Sequence, residues 1–213
     1  MKIHRIVSDL LASNMYLLEE AGHVIVLDPC EDFSAYDPAL TYDWIFLTHE
    51  HYDHISGADV WRERTGARVI CSLSCGENLK DSKKNLSRHF ESFCELQTWA
   101  PYEARRSYGP FTTRADFTFG GQMELTWQGK HISLFEAPGH SEGSSCFLVD
   151  GTSLFAGDCL IPGYEPALRF PGGSRKQWNE RTLPLLRELP PETMVYPGHF
   201  EPCALAEFHQ YFT

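Results

Sequence analysis

No apolar run in this sequence approaches the length that crosses a membrane. The N-terminus, Met1-Lys2-Ile3-His4-Arg5-Ile6-Val7-Ser8-Asp9, carries no signal-type apolar core. Basic charge is scarce as well: 18 Lys and Arg against 29 Asp and Glu leave a net charge of −11. A nucleic-acid footprint needs a basic face, so that class of partner is not expected, and neither is a membrane. The seven cysteines form no zinc-finger spacing; Cys71 and Cys75 are four apart, but no second Cys/His pair completes a site. An odd cysteine count without an export signal fits a reducing cytosol better than a disulfide framework, so a cytoplasmic protein is expected. Repeats, low-complexity tracts and linkers are missing too. With 42% hydrophobic residues, the chain is expected to fold as one domain, residues 1–213. The basic residues Lys83, Lys84, Arg88, Arg105 and Arg106 read either as solvated surface or as a patch that meets an acidic substrate.

What the chain does have is a concentration of ligand-type side chains. Thr48-His49-Glu50-His51-Tyr52-Asp53-His54 places three imidazoles and the carboxylate of Asp53 within six residues, directly after the apolar run Trp44-Ile45-Phe46-Leu47. Such a run reads as a buried strand, and open α/β sheets place their ligands at the carboxyl ends of strands. His49, His51 and Asp53 alternate, while His54 follows at once and must point elsewhere. Two divergent ligand sets predict two adjacent metal positions. Mixed imidazole and carboxylate suit zinc best, with iron or manganese as alternatives. The bland alternative is three solvated histidines in a surface loop.

The remaining pattern is α/β. Residues 3–7, 15–18, 24–27 and 67–71 read as strands, with a helix from about 55 to 65 stopped by Gly66. Asp28 ends one strand at the same edge as the histidine cluster. It reads either as a carboxylate that orients a metal-bound imidazole or as a turn former before Pro29. Residues 72–115 have weak periodicity, a helical stretch over 79–93 and aromatic loops at Trp99-Ala100-Pro101-Tyr102 and Tyr108-Gly109-Pro110-Phe111; this segment reads as a lid or an idle insertion. Hairpins are predicted over 123–135, around Gln128-Gly129-Lys130, and over 145–156, around Asp150-Gly151-Thr152. A helix starts at Ser174, Pro184 should break or kink it, and 193–196 form a late strand. Two halves of similar content predict a four-layer α/β/β/α sandwich.

Three later strand ends pair a glycine with a ligand-type residue: Pro138-Gly139-His140, Gly157-Asp158-Cys159 and Pro197-Gly198-His199. Glycine lets the backbone turn sharply there. Cys159 reads as buried packing rather than as a ligand. In their order, His49, His51, Asp53, His54, His140, Asp158 and His199 resemble the metallo-β-lactamase-fold hydrolase superfamily, and within it the glyoxalase II-like thioesterases. The likeness takes in Asn14-Met15-Tyr16 and Pro171-Gly172-Gly173-Ser174.

The resemblance implies two mixed sheets flanked by helices and two divalent metal ions. His49, His51 and His140 would hold one ion, Asp53, His54 and His199 the other, and Asp158 would bridge them. It further implies hydrolysis of a small-molecule substrate, a thioester above all, through a metal-bridging hydroxide, with Asp53 and Asp158 in catalytic positions. A thiolate leaving group barely needs protonation, since free thiols have a pKa near ~8.5. Tyr164, Arg169 and Phe170 are candidates for lining the substrate cleft, with Tyr164 alternatively a packed core tyrosine. Three departures count against glutathione thioesters, one of them a middle segment longer than in compact relatives. The chain ends soon after His199, without the C-terminal helical domain of full-length glyoxalase II, and Phe200-Glu201-Pro202-Cys203 stands where a glycine-rich continuation is usual. The rival readings are a lactone or ester hydrolase, a persulfide dioxygenase using one iron on His49, His140 and Asp158, a true β-lactamase, and a metal-stabilised binding module without turnover.

Overall fold

Successive residues of a strand point to opposite faces, and in the central strands of this protein both faces are apolar. The computed structural model describes residues 1–96 and 108–212. The first sheet holds β1 (Lys2–Val7), β2 (Asn14–Glu20), β3 (His23–Leu27), β4 (Thr41–Phe46), β5 (Arg68–Ser72) and β6 (Phe117–Phe119), side by side in chain order. β1 to β3 pair antiparallel and β3 to β6 parallel. The second sheet holds β7 (Gln122–Trp127), β8 (Lys130–Glu136), β9 (Ser145–Val149), β10 (Ser153–Gly157), β11 (Met194–Pro197) and β12 (Cys203–Ala204), again in chain order. Here only β10 and β11 are parallel.

Alternation sorts the side chains into three cores. Tyr16, Leu18, Ile25, Leu27 and Phe46 face Leu134, Phe147 and Phe155 between the sheets. Their sequence neighbours Met15, Leu17, Val24, Val26 and Ile45 turn outward, onto Trp61 and Phe90. In the second sheet Leu154, Ala156 and Val195 turn outward onto Trp178, Leu186 and Phe208. Trp61 belongs to α2 (Ala58–Thr65) and Leu186 to α6 (Leu183–Arg187). The layers therefore run helix, sheet, sheet, helix, as the halves of the sequence predict. Among the described residues no helix is long and apolar enough to cross a membrane.

The structure departs from the sequence reading in several places. A four-residue helix, α1 (Tyr52–Ile55), begins inside the histidine stretch. The helix expected over residues 79–93 is divided: α3 (Leu73–Asn78) precedes it, and a 3-10 turn, Ser87–His89, leads into α4 (Phe90–Leu96). Leu86 between them is left-handed, with φ 64°, which no continuous helix admits. Ser174 does cap a helix, accepting a hydrogen bond from the Gln177 amide at 3.2 Å. Pro184 does not break it. The chain runs from α5 (Arg175–Gln177) through a π-helical turn, Trp178–Thr182, into α6. The widened turn lies just upstream of the proline, whose ring crowds the preceding turn. Lys130 belongs to β8 rather than to the hairpin turn. The turn is Gln128-Gly129, with φ 48° and 76°, the two positive values that match strand twist in a two-residue loop. The aromatic loop at residues 99–102 and the arginines at 105 and 106 lie outside the described residues.

Candidate metal centre

The ligand-type residues all sit just beyond carboxyl ends of strands. β3 and β4 are parallel, so Asp28 and the stretch from Thr48 to His54 leave the first sheet on one edge. β8 and β10 both pair antiparallel with β9 and so run the same way, and β11 is parallel to β10. His140, Asp158 and His199 thus leave the second sheet together. An isolated bridge between Ser13 and His199 joins the two edges. The amide of Asn14 donates to the carbonyl of Gly198 at 2.7 Å, and Ser13 Oγ donates to the carbonyl of Asp53 at 2.8 Å.

Folding brings the seven residues into two sets. Ligand atoms of His49, His51 and His140 lie within 4.8 Å of one another, and so do those of Asp53, His54 and His199. Asp158 touches both sets: one carboxylate oxygen is 3.3 Å from His54 Nε2, and the other is 3.6 Å from His140 Nε2 and 3.5 Å from His199 Nε2. All seven are buried, which removes the solvated-loop reading. Asp28, His49 and His54 also cluster, but Asp28 is already engaged. One of its oxygens accepts from the Thr48 amide at 2.7 Å, and the other accepts from Thr48 Oγ1 at 2.6 Å and lies 3.2 Å from His54 Nδ1. Asp28 therefore orients the ring of His54 from behind, the first of its two sequence readings.

The donor set fits divalent metal. His140 Nδ1 is 3.0 Å from the carbonyl of Ala167, which leaves Nε2 turned inward, 3.0 Å from His51 Nδ1. His49 Nε2 and His54 Nε2 are buried with no hydrogen-bond partner among the described residues. Buried polar atoms are nearly always satisfied, and ring nitrogens left bare beside two carboxylates are what a cation would complete. Glycine is required around this point. A side chain at Gly198 would collide with Asp158 and His54, and one at Gly157, where φ is +50°, would collide with Thr48.

Residues 8–199 match the family model of the metallo-beta-lactamase superfamily. The chain belongs to that superfamily. Its relatives include YqgX of Bacillus subtilis, described as a probable metallo-hydrolase, at 27% identity over 93% of this chain and 90% of the relative. The hydroxyacylglutathione hydrolase of Salmonella typhi is 25% identical over 86% of this chain, which spans only 59% of that enzyme. Among solved structures, the B3 metallo-beta-lactamase BLEG-1 superposes with a TM-score of 0.79 at 24% identity, covering 98% of this chain and 97% of the other. The fold is therefore the metallo-β-lactamase sandwich.

The electrostatics of this superfamily member divide its two sets. Burial, and after it the charge of neighbouring imidazoles, holds His49 and His51 well below the usual histidine range, His51 at about 3. Burial lowers His140 as well. Burial also pulls on His54 and His199, but the carboxylates of Asp53 and Asp158 outweigh it; His54 is pushed well above its ordinary value and His199 to about 9. Burial would raise Asp53 and Asp158, yet His54 and His199 hold both far below the usual carboxylate range.

A cavity of about 220 Å³ opens onto the cluster. Tyr164 lines it and is 47% exposed, stacked on Phe200 with ring centroids 5.5 Å apart, so it is not a core tyrosine. Phe170 lines it against His140 and His51. Arg169 is exposed and is not among the lining residues; Leu168 before it packs into the outer core of the second sheet. Cys159 is buried, its thiol 3.3 Å from the carbonyl of Ala137. From the segment read as lid or insertion, Leu86 and Phe90 supply one wall of the cavity.

Sequence reasoning passed over two supporting groups. Glu50, between the histidines, turns away from the cavity and accepts hydrogen bonds from Asn78 Nδ2 at 2.8 Å and Ser141 Oγ at 2.9 Å. Asn14 and Tyr16 hold the loop of His199 by donating to the carbonyl of Pro197 at 3.0 and 2.7 Å.

Proposed function

We propose that this protein is a dinuclear metallo-hydrolase that cleaves a small-molecule thioester. The observation that carries the reading is the pairing of two complete buried ligand sets, joined by Asp158, at the floor of one cavity. His49, His51 and His140 would hold one ion, Asp53, His54 and His199 the second, and Asp158, which touches both sets, would serve both. Two divalent ions held there would supply a water of lowered pKa and polarisation of a carbonyl oxygen. Zinc suits the mixed nitrogen and oxygen donors best.

The chain's own residues do the rest. Asp53, kept ionised by His54 and His199, accepts a hydrogen bond from the attacking water and orients it. The carbon–oxygen bond forms as the carbon–sulfur bond breaks; water supplies the oxygen, and the products are a carboxylic acid and a thiol. A leaving amide nitrogen needs a general acid, whereas a thiolate leaves without one. Kinship with hydroxyacylglutathione hydrolases supports a thioester, and a second intact ligand set favours two ions over a one-iron dioxygenase. The test is metal quantification followed by a hydrolysis panel on the same sample. Two ions per chain and turnover of thioesters above lactones and lactams are expected. One iron per chain with oxygen uptake on a persulfide, or lactone opening without thioester cleavage, overturns the reading.

A further inference from the structure

The wall of the cavity is unlike its floor. Above the cluster, Leu11, Leu86, Phe90, Ile161 and Phe170 present apolar surface. At the mouth stand Tyr164 and Phe200, their rings 17° from parallel and both substantially exposed, at 47% and 38%. Among the described lining residues beyond the ligand sets, the only charged one is Glu165. Among the described residues no lysine or arginine lines it, and the whole chain carries a net charge of −11. Phe200 holds a backbone conformation that L residues rarely adopt, with φ 67°. Its carbonyl is fixed there by Arg5 Nη1 at 2.9 Å and Asn14 Nδ2 at 2.8 Å. A bulky residue kept left-handed at a cavity mouth costs conformational energy, and such strain concentrates at ligand clamps.

Resting on the thioester reading, we propose that this cavity selects substrates whose non-reacting part is apolar and free of negative charge, with Tyr164 and Phe200 as the hydrophobic lip, and that it discriminates against glutathione thioesters. A carboxylate laid on Leu11, Leu86, Phe90, Ile161 and Phe170 loses its hydration without gaining a cationic partner from them, and Glu165 repels it. An alkyl chain replaces ordered water by aliphatic and aromatic contacts.

The experiment compares matched pairs on the zinc-loaded protein. Hexanoyl-N-acetylcysteamine and S-hexanoylglutathione share an acyl group and a thioester and differ in the charge of the thiol part. At least a tenfold higher kcat/KM is expected for the neutral ester; equal rates or a preference for glutathione overturn the proposal. Binding is read independently of turnover by calorimetry with the uncleavable thioethers S-hexyl-N-acetylcysteamine and S-hexylglutathione. The neutral one is expected to bind at least tenfold more tightly, and equal or tighter binding of the glutathione compound overturns the proposal even where no thioester is hydrolysed. Absence of all thioester turnover together with preferred binding of the neutral compound sinks the reaction assignment and leaves the pocket assignment standing. Phe200→Gly, which suits the left-handed backbone, tests the lip. KM for the hexanoyl ester should rise at least fivefold while that for the acetyl ester moves less than twofold. An unchanged chain-length preference removes Phe200 from the pocket.

Discussion

Asp28 and His54 lie 26 residues apart in the chain and 3.2 Å apart in space, carboxylate oxygen to Nδ1. Asp28 also takes both donors of Thr48, so it ties the last residue before the histidine stretch to a ligand at its far end. Outer partners of this kind commonly change metal affinity ~10–100-fold. Asp28→Asn keeps the size and tolerates the left-handed φ of 48° found there, but removes the charge behind the imidazole. The expected result is a loss of about 10–100-fold in affinity for the ion on Asp53, His54 and His199, with a smaller loss at the three-histidine set. Competition titration against a chelator measures both.

The opposed shifts at the two sets predict how the metal-free protein responds to pH. His51 is folded at about 3 and its set lies below the ordinary histidine value near 6.5; an unfolded chain binds those protons more readily, so stability rises from pH 3 toward 6.5. His54 and His199 are raised, His199 to about 9. Their contribution is fully present below 6.5 and is lost as pH climbs through 9. The melting temperature of chelator-treated protein should therefore peak near pH 6.5. Loading the second set must expel the protons on His54 and His199, so proton release on metal uptake, read by calorimetry in buffers of different ionisation enthalpy, should be confined to the second ion at pH 7.5. A flat melting profile from pH 6.5 to 9 would contradict the charge pattern.

These relationships mark where sequence reading succeeds and where it stops. Central strands such as β2 and β3 are legible because burial on both faces leaves a short continuous apolar run. The seven ligand-type residues are legible from their chemistry, since imidazole and carboxylate beside glycine at strand ends have few other uses. β6 and β12, of three and two residues, are not legible, because pairing with a neighbour defines them. The same holds for Asn14 and Tyr16, whose partner Pro197 lies more than 180 residues away. Arg169, a candidate because it follows Asp158 in the chain, stays outside the described lining, since the backbone turns Leu168 and Phe170 inward on either side of it.

Glu50 shows a different kind of invisibility: a carboxylate between two histidines looks like a ligand or surface, and is neither. Burial raises its pKa, and Asn78 and Ser141 donate to it from α3 and from the loop after His140. Glu50→Ala would strand both donors in a water-poor site, at about 1–3 kcal/mol for each unsatisfied group. The variant should unfold about 2–5 kcal/mol more easily. Denaturant unfolding of the metal-free form isolates this cost from metal binding, and a change under about 0.5 kcal/mol would mean that the network is incidental.

Gly198 tests the centre itself with one methyl group. Its missing side chain leaves the space occupied by Asp158 and the ring of His54, 2.8 Å from where a Cβ would stand. Both neighbours are buried and held by further bonds, so neither can yield without displacing a ligand atom. Gly198→Ala should therefore keep the fold, because its backbone does not need a positive φ, and yet lose at least one ion per chain together with hydrolytic turnover. Metal content after desalting and circular dichroism of the same sample separate the two effects. Full metal occupancy in a folded variant would show that Asp158 and His54 have freedom to move, and would remove the rigid bridge on which the dinuclear reading depends.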